Sequence, residues 1–247
     1  MPESDTALII MARYPEAGKT KTRLARTLGD VEVAQLYHAF LTDLAQRFSG
    51  QDYTLLWAYT PAESDYAAFV QTLAPAYSEQ MLCFAQQGED FGTRLLSAFQ
   101  WAHEHGFKRT LLIGSDSPQI SRATVEQART ALDDVDLVLG PSDDGGYYLI
   151  AMRKPYDVFS GIPMSTEVVT EMTLASALKQ GLTSRMIDPL YDIDELPDLL
   201  RLAELLASDS SHAPATAAYL AAMRSLHDYH TRFNSATLDL YRTNQSL

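Results

Sequence analysis

The residues that could do chemistry in this sequence are acids and bases set beside turn residues, and Asp116 is the first of them. It stands in Arg109-Thr-Leu-Leu-Ile-Gly-Ser-Asp-Ser-Pro118, where the apolar run Leu111-Leu112-Ile113 meets Gly, Asp and Pro in quick succession. A short apolar run closed by turn residues predicts a strand buried on both faces. Gly114 lets the chain turn, and Pro118 stops the strand from continuing. Asp116 is then expected at the C-terminal end of a central strand, where open α/β sheets bind ligands. A carboxylate there can hold a hard cation, which in turn holds phosphate oxygens. It can equally cap a helix opening near Ser121 or close a turn, and this stretch leaves both roles open.

The bases gather elsewhere. Arg13, Lys19, Lys21, Arg23 and Arg26 fall within a short segment whose only acid is Glu16, in a chain of net charge −13. A basic cluster in an acidic protein suits a small anion, although Lys19, Arg23 and Arg26 also have the spacing of a solvated helix face. The loop Pro15-Glu-Ala-Gly-Lys-Thr-Lys-Thr-Arg-Leu24 follows a predicted strand and opens a helix, a place where α/β proteins hold phosphates. Gly18, Lys19, Lys21 and Arg23 are its candidate phosphate ligands, together with Arg13. Gly18-Lys19-Thr20 imitates a P-loop, but that pattern needs Gly where Arg13 stands. Gln86-Gln-Gly-Glu-Asp-Phe-Gly-Thr-Arg94 repeats the logic, with Gly88 and Gly92 open to close backbone approach. Arg94 begins a helix, a poor place for a cation; it calls for an anion or for a salt bridge to Glu89 or Asp90.

Two more acidic stretches complete the set. Asp143-Asp144-Gly145-Gly146-Tyr147 reads as a hairpin turn, and Asp144 could also accept a hydrogen bond from a substrate hydroxyl. Asp192-Ile-Asp-Glu-Leu-Pro-Asp198 precedes a helix, so an acid cap is its simplest role. Two alternating acids nevertheless leave one free for a metal. Asp194, nearer the helix, is expected to turn towards Asp116 and share a cation with it, leaving Asp192 to hold the loop. The histidines have no metal-ligand spacing, and no Gly-x-Ser-x-Gly elbow surrounds Ser115 or Ser117.

The elements that must position these residues alternate strand and helix. Strands are predicted over 7–12, 53–60, 80–86, 111–113, 136–140, 147–152 and 185–190. Helices are predicted from Thr20 or Thr22, after Asp30, and over 64–73, 91–105, 121–132, 165–179 and 196–206. The helix after Asp30 has an apolar stripe of Val33, Leu36, Tyr37, Phe40, Leu41, Leu44 and Phe48. Such alternation means a three-layer α/β/α fold with a mostly parallel mixed sheet. The tight link at Asp144-Gly145 predicts one antiparallel strand in it. We expect a catalytic body over 1–206 and a helical extension over 207–247. The extension's stripe of Tyr219, Met223, Leu226, Tyr229 and Phe233 could pack on the body or form a homodimer.

Composition narrows the function. The acidic balance argues against nucleic acid. No apolar run is long enough to cross a membrane, and the acidic N-terminus does not read as a signal peptide. Cys83 is the only cysteine, which excludes an internal disulfide and a cysteine-rich zinc site. A cytoplasmic location is expected.

Taken in order, the motifs Pro15–Leu24, Gln87–Arg94, Gly114-Ser-Asp-Ser-Pro118, Gly140-Pro-Ser-Asp-Asp-Gly-Gly-Tyr-Tyr-Leu149 and Asp192-Ile-Asp194 resemble the glycosyltransferase-A nucleotide-diphospho-sugar transferase superfamily. Within it they are most similar to a bacterial glycosyltransferase-like family associated with arsenosugar biosynthesis. Lys21-Thr-Arg-Leu24 also resembles the phospholactate guanylyltransferases. The resemblance spans roughly residues 7–206 and implies a nucleotide or nucleotide-sugar at the first loop. It implies Mg²⁺ or Mn²⁺ on Asp116, with Asp116 and Asp144 as catalytic residues. It places a small-molecule acceptor near Asp144, Gly145, Gly146 and Tyr147. Sugar transfer is the expected reaction, with nucleotidyl transfer and non-catalytic nucleotide binding as alternatives. This sequence departs from the pattern twice. Ser115-Asp116-Ser117 offers one carboxylate where many such enzymes carry Asp-x-Asp, and Met164 stands where the family carries tryptophan.

Overall fold

The computed structural model describes residues 4–223. Its strands are β1 (Thr6–Arg13), β2 (Thr54–Thr60), β3 (Leu82–Ala85), β4 (Arg109–Gly114), β5 (Leu137–Pro141), β6 (Tyr147–Met152) and β7 (Ser184–Met186). They form one sheet in the order β3-β2-β1-β4-β6-β5-β7. Only β6 runs antiparallel to its neighbours, as the tight 142–146 turn requires. The helices are α1 (Thr22–Leu28), α2 (Asp30–Phe48), α3 (Tyr66–Leu73), α4 (Phe91–Glu104), α5 (Arg122–Ala131), α6 (Val169–Lys179), α7 (Leu196–Ser208) and α8 (Pro214–Ala222).

Strand β1 explains the layers. Leu8, Ile10 and Ala12 join one buried cluster, with side chains from α1, α2, α3, α5, α7 and α8. Ala7, Ile9 and Met11 join the other, with side chains from α4 and α6. Both faces are covered, so the strand is apolar at nearly every position. The same holds for Leu111, Leu112 and Ile113 of β4. The α2 stripe is buried at each of its seven expected positions.

Several boundaries move. The chain before β3 forms a 3₁₀ turn, Pro75–Gln80, so that strand is shorter than expected. The helix expected from Ser165 begins at Val169, because Ser165 sits at φ 64, outside helical geometry. The strand expected over 185–190 ends at Met186, and Leu190 keeps only a bridge to Ser142.

Within the C-terminal extension, α8 lies on α2. Asp43 of α2 accepts hydrogen bonds from Ala215 N, Thr216 N and Thr216 Oγ1, and the Tyr219 hydroxyl donates to Glu32 O. Tyr219 and Met223 therefore face the body; Leu226, Tyr229 and Phe233 lie outside the described residues. No helix among the described residues is long and apolar enough to cross a membrane.

Candidate functional site

Strand order creates the site. The chain leaves β1 towards β2 on one side, while β4 lies on the other, and such a switch point opens a crevice at the strand ends. A cleft of about 420 Å³ lies there, and its lining includes Arg13, Lys19, Lys21, Arg23, Arg94, Asp116 and Asp194. Five bases against two acids give the cleft a net positive lining in an otherwise acidic chain.

Lys21 is its most constrained member. It adopts left-handed backbone geometry, φ 44 and ψ 55, immediately before α1. That conformation is costly for a residue with a Cβ. Its side chain is only 5% exposed, and the ammonium donates to Asp116 Oδ1 at 2.6 Å and Asp194 Oδ1 at 3.3 Å. A further bond of 2.6 Å goes to Ile193 O. The ring of Phe40 lies 6.0 Å from the nitrogen. Burial works against the charge, but Asp116 and Asp194 outweigh it and hold the Lys21 pKa above the usual lysine range.

Asp194 reaches Asp116 because two loops are stitched together. Ile193 N donates to Asp116 O, Gln119 Nε2 to Tyr191 O, and Ser117 Oγ to Tyr191 O. Glu195 is the N-cap of α7, and Asp198 in the first turn completes a capping box by accepting from the backbone N–H groups of Asp194 and Glu195. The Asp194 carboxylate is thus left to Lys21, with Arg23 3.7 Å away. Asp192 turns inward, accepting hydrogen bonds from Ser117 Oγ at 2.6 Å and Ser142 Oγ at 3.0 Å. Burial pushes its pKa up to about 6; the Ser117 hydroxyl opposes this and the charge of Asp116 adds to it.

The remaining expected ligands divide. Arg13 and Arg94 line the cleft. Arg94 Nε donates to Gly88 O, and neither Glu89 nor Asp90 lies within salt-bridge distance of Arg94 among the described residues. Lys19 pairs with Glu16 at 3.0 Å. Gly18, Gly88 and Gly92 do not line the cleft, and for two of them the reason is packing. Gly88 sits at φ +134, and a Cβ there would meet Thr93 Oγ1 at 2.6 Å; Gly92 lies under Met164. Lys21, expected on phosphate, has its three N–H donors engaged by protein acceptors.

Asp144 lies in the β5–β6 turn, accepting from Gly146 N at 2.9 Å, outside the cleft lining. A Cβ on Gly145 would collide with Glu167 O at 2.1 Å, so the turn is pressed against the chain leading into α6. Tyr147, expected beside an acceptor, packs inward with the α4–α6 cluster.

The sequence reading passed over three residues. Tyr37 belongs to the apolar stripe of α2, yet its hydroxyl meets Ser115 Oγ at 2.6 Å and accepts from Arg13 N at 3.1 Å. Burial, reinforced by the charge of Asp116, pushes its pKa up to about 12. Gln86 donates to Ala12 O and Ala58 O across the strand ends. Phe91, large and half exposed, forms an apolar wall of the cleft. Its position at the start of α4, outside the inward stripe, was the available signal.

With this geometry the chain resembles known structures. A protein from Desulfovibrio desulfuricans G20, provisionally described as a nucleotide-diphospho-sugar transferase, is 31% identical; the match covers 96% of this chain and 98% of that one, with a TM-score of 0.79. The 4-diphosphocytidyl-2C-methyl-D-erythritol synthase of Anaerococcus prevotii DSM 20548 shares the fold at 12% identity, over 83% of this chain and 99% of that one, with a TM-score of 0.54. CMP:2-keto-3-deoxy-manno-octonic acid synthetase, complexed with CTP, does so at 14% identity, over 83% and 100%, with a TM-score of 0.50. No curated protein matches the chain. The fold is that of the nucleotide-diphospho-sugar transferases and cytidylyltransferases. A family model described as uncharacterized protein conserved in bacteria (DUF2064) matches residues 42–166, and the chain belongs to that family.

Proposed function

We propose that the chain is a cytoplasmic transferase that holds a nucleotide-activated sugar in the β1–β4 cleft and passes the sugar to a small acceptor. The observation carrying this reading is the convergence of five bases and the Asp116–Asp194 pair on one cleft at the switch point. Arg13, Arg23 and Arg94 bind the diphosphate, since guanidinium groups grip phosphate oxygens two at a time. Phe91 offers an apolar face to the base or sugar. Asp144 accepts a hydrogen bond from an acceptor hydroxyl, with the backbone of Gly145 and Gly146 beside it.

The residues fit Mg²⁺ or Mn²⁺. Two half-exposed carboxylates already share one cationic group, and Mg²⁺ in such sites takes one or two carboxylates and completes its shell with water and phosphate. Asp116 and Asp194 would hold the ion, which when bound supplies charge neutralisation on the leaving diphosphate. Asp192 keeps the loop in place through Ser117 and Ser142.

Incubation with a panel of NDP-sugars, Mn²⁺ and hydroxyl acceptors tests the reading, with NDP release as the expected result. One observation favours a second reading, nucleotidyl transfer from an NTP. The acids come from separate segments, after β4 and after β7, rather than from an Asp-x-Asp pair. Pyrophosphate released from an NTP would support that route. Tight nucleotide binding with neither product would support a non-catalytic binding protein.

A further inference from the structure

The Asp116–Asp194 pair already has a cation. Lys21 Nζ lies 2.6 Å from Asp116 Oδ1 and 3.3 Å from Asp194 Oδ1, the same carboxylates that would hold a divalent ion. An ammonium has three N–H donors, and the third goes to Ile193 O at 2.6 Å. Lys21 therefore has no donor left for a phosphate unless one of these bonds is released. Its side chain is 5% exposed, whereas the two carboxylates are 44% and 45% exposed and face the cleft. The placement is built: Lys21 accepts left-handed backbone geometry, and Phe40 lies beneath the ammonium.

We propose that Lys21 is the resident counter-cation of this pair and competes with the divalent ion for it, so that the pair takes up metal well only once phosphate oxygens draw the ammonium away. The inference rests on the reading of Asp116 and Asp194 as the metal ligands. Its physical basis is like-charge repulsion. An ammonium and a divalent ion on the same carboxylate oxygens repel strongly in a partly buried site, where screening is weak. Phosphate offers the ammonium substitute acceptors of matching charge. Metal and nucleotide then assist each other's binding, and by linkage the assistance is mutual. In the empty site, Lys21 keeps two acids that would otherwise repel each other in position.

Electron paramagnetic resonance of Mn²⁺, titrated against the full chain without nucleotide, reads the competition directly. Wild type should bind Mn²⁺ weakly. Lys21→Met and Lys21→Gln, checked for folding by circular dichroism, should bind it at least about tenfold more tightly. Lys21→Arg, which keeps the charge, should gain nothing, and Asp116→Asn added to Lys21→Met should remove the gain. Equal Mn²⁺ affinity in wild type and Lys21→Met overturns the proposal. A second measurement needs no variant that must fold without the lysine. In ¹⁵N-labelled wild type, the ammonium resonance of Lys21 should shift or vanish with MgCl₂ and not with NaCl of equal ionic strength. An unchanged resonance at Mg²⁺ saturation overturns the competition. Titrations repeated with a nucleoside diphosphate separate the two levels. Metal bound by wild type with nucleotide, but no gain in Lys21→Met, refutes the competition alone. No metal bound under any condition refutes Asp116 and Asp194 as metal ligands, and the inference with them.

Discussion

The cleft beside Asp116 and the hollow beneath α8 each enclose about 420 Å³, and each is lined by acids and bases. In the hollow, Asp43 is 2% exposed, and its carboxylate accepts from Ala215 N, Thr216 N and Thr216 Oγ1. Arg47 donates to the carbonyls of Pro118, Ile120 and His212. Both charges close on hydrogen-bonding groups of the chain itself, mostly backbone, and so fasten α8 and the turn before it to the body. In the cleft the charges close on each other instead. Lys21 is buried, but its carboxylate partners stay half exposed and keep lone pairs facing open space. Equal volume and similar residues thus give a fastening in one place and an open site in the other. What separates them is where the remaining acceptors point.

Substitutions can break this contrast from either side. Asp116→Ala should have the largest effect, removing metal-dependent nucleotide binding by a factor of at least about 100, read by calorimetry, while the folded spectrum persists. Asp43→Ala should do the reverse. It leaves buried N–H groups of α8 unpaired and should cost about 1–3 kcal/mol of stability, measured by urea unfolding, with nucleotide affinity unchanged. If Asp43→Ala weakened nucleotide binding as much as stability, the two regions would not be separable in this way.

Much of the cleft was legible in the sequence, for a physical reason. Leu111-Leu112-Ile113 and the run in β1 are buried on both faces, so their composition announces central strands, and the acids and bases just beyond them line the cleft at the strand ends. The inward turn of Lys21 was not legible. It depends on a left-handed residue and on Phe40, brought in by α2 from elsewhere in the chain. Tyr37 was hidden because its ring satisfies the apolar stripe of α2 while its hydroxyl serves Ser115. Asp194 could have capped α7, and only the course of the loop shows that the cap is Glu195, with Asp198 completing the capping box.

Smaller effects sharpen the comparison within the cleft. Asp194→Ala should weaken metal-dependent nucleotide binding by about tenfold, less than Asp116→Ala. Asp192 should act on stability. Its folded pKa, about 6, lies above the ordinary value of 3.8, so the folded state binds the proton more tightly. The stabilisation from this group is present below pH 4 and is lost as pH rises towards 6. Asp192→Asn should flatten that part of the stability profile in urea titrations between those pH values, and a profile unchanged from wild type would count against the assignment.

The most direct measurement is calorimetric titration of wild type with nucleoside diphosphates, nucleoside triphosphates and NDP-sugars, each with and without Mn²⁺. Saturable binding of at least one nucleotide, strengthened by Mn²⁺ and lost in Asp116→Ala, is the predicted result. Absence of binding for every nucleotide in both conditions would contradict the assignment of the β1–β4 cleft as a nucleotide site.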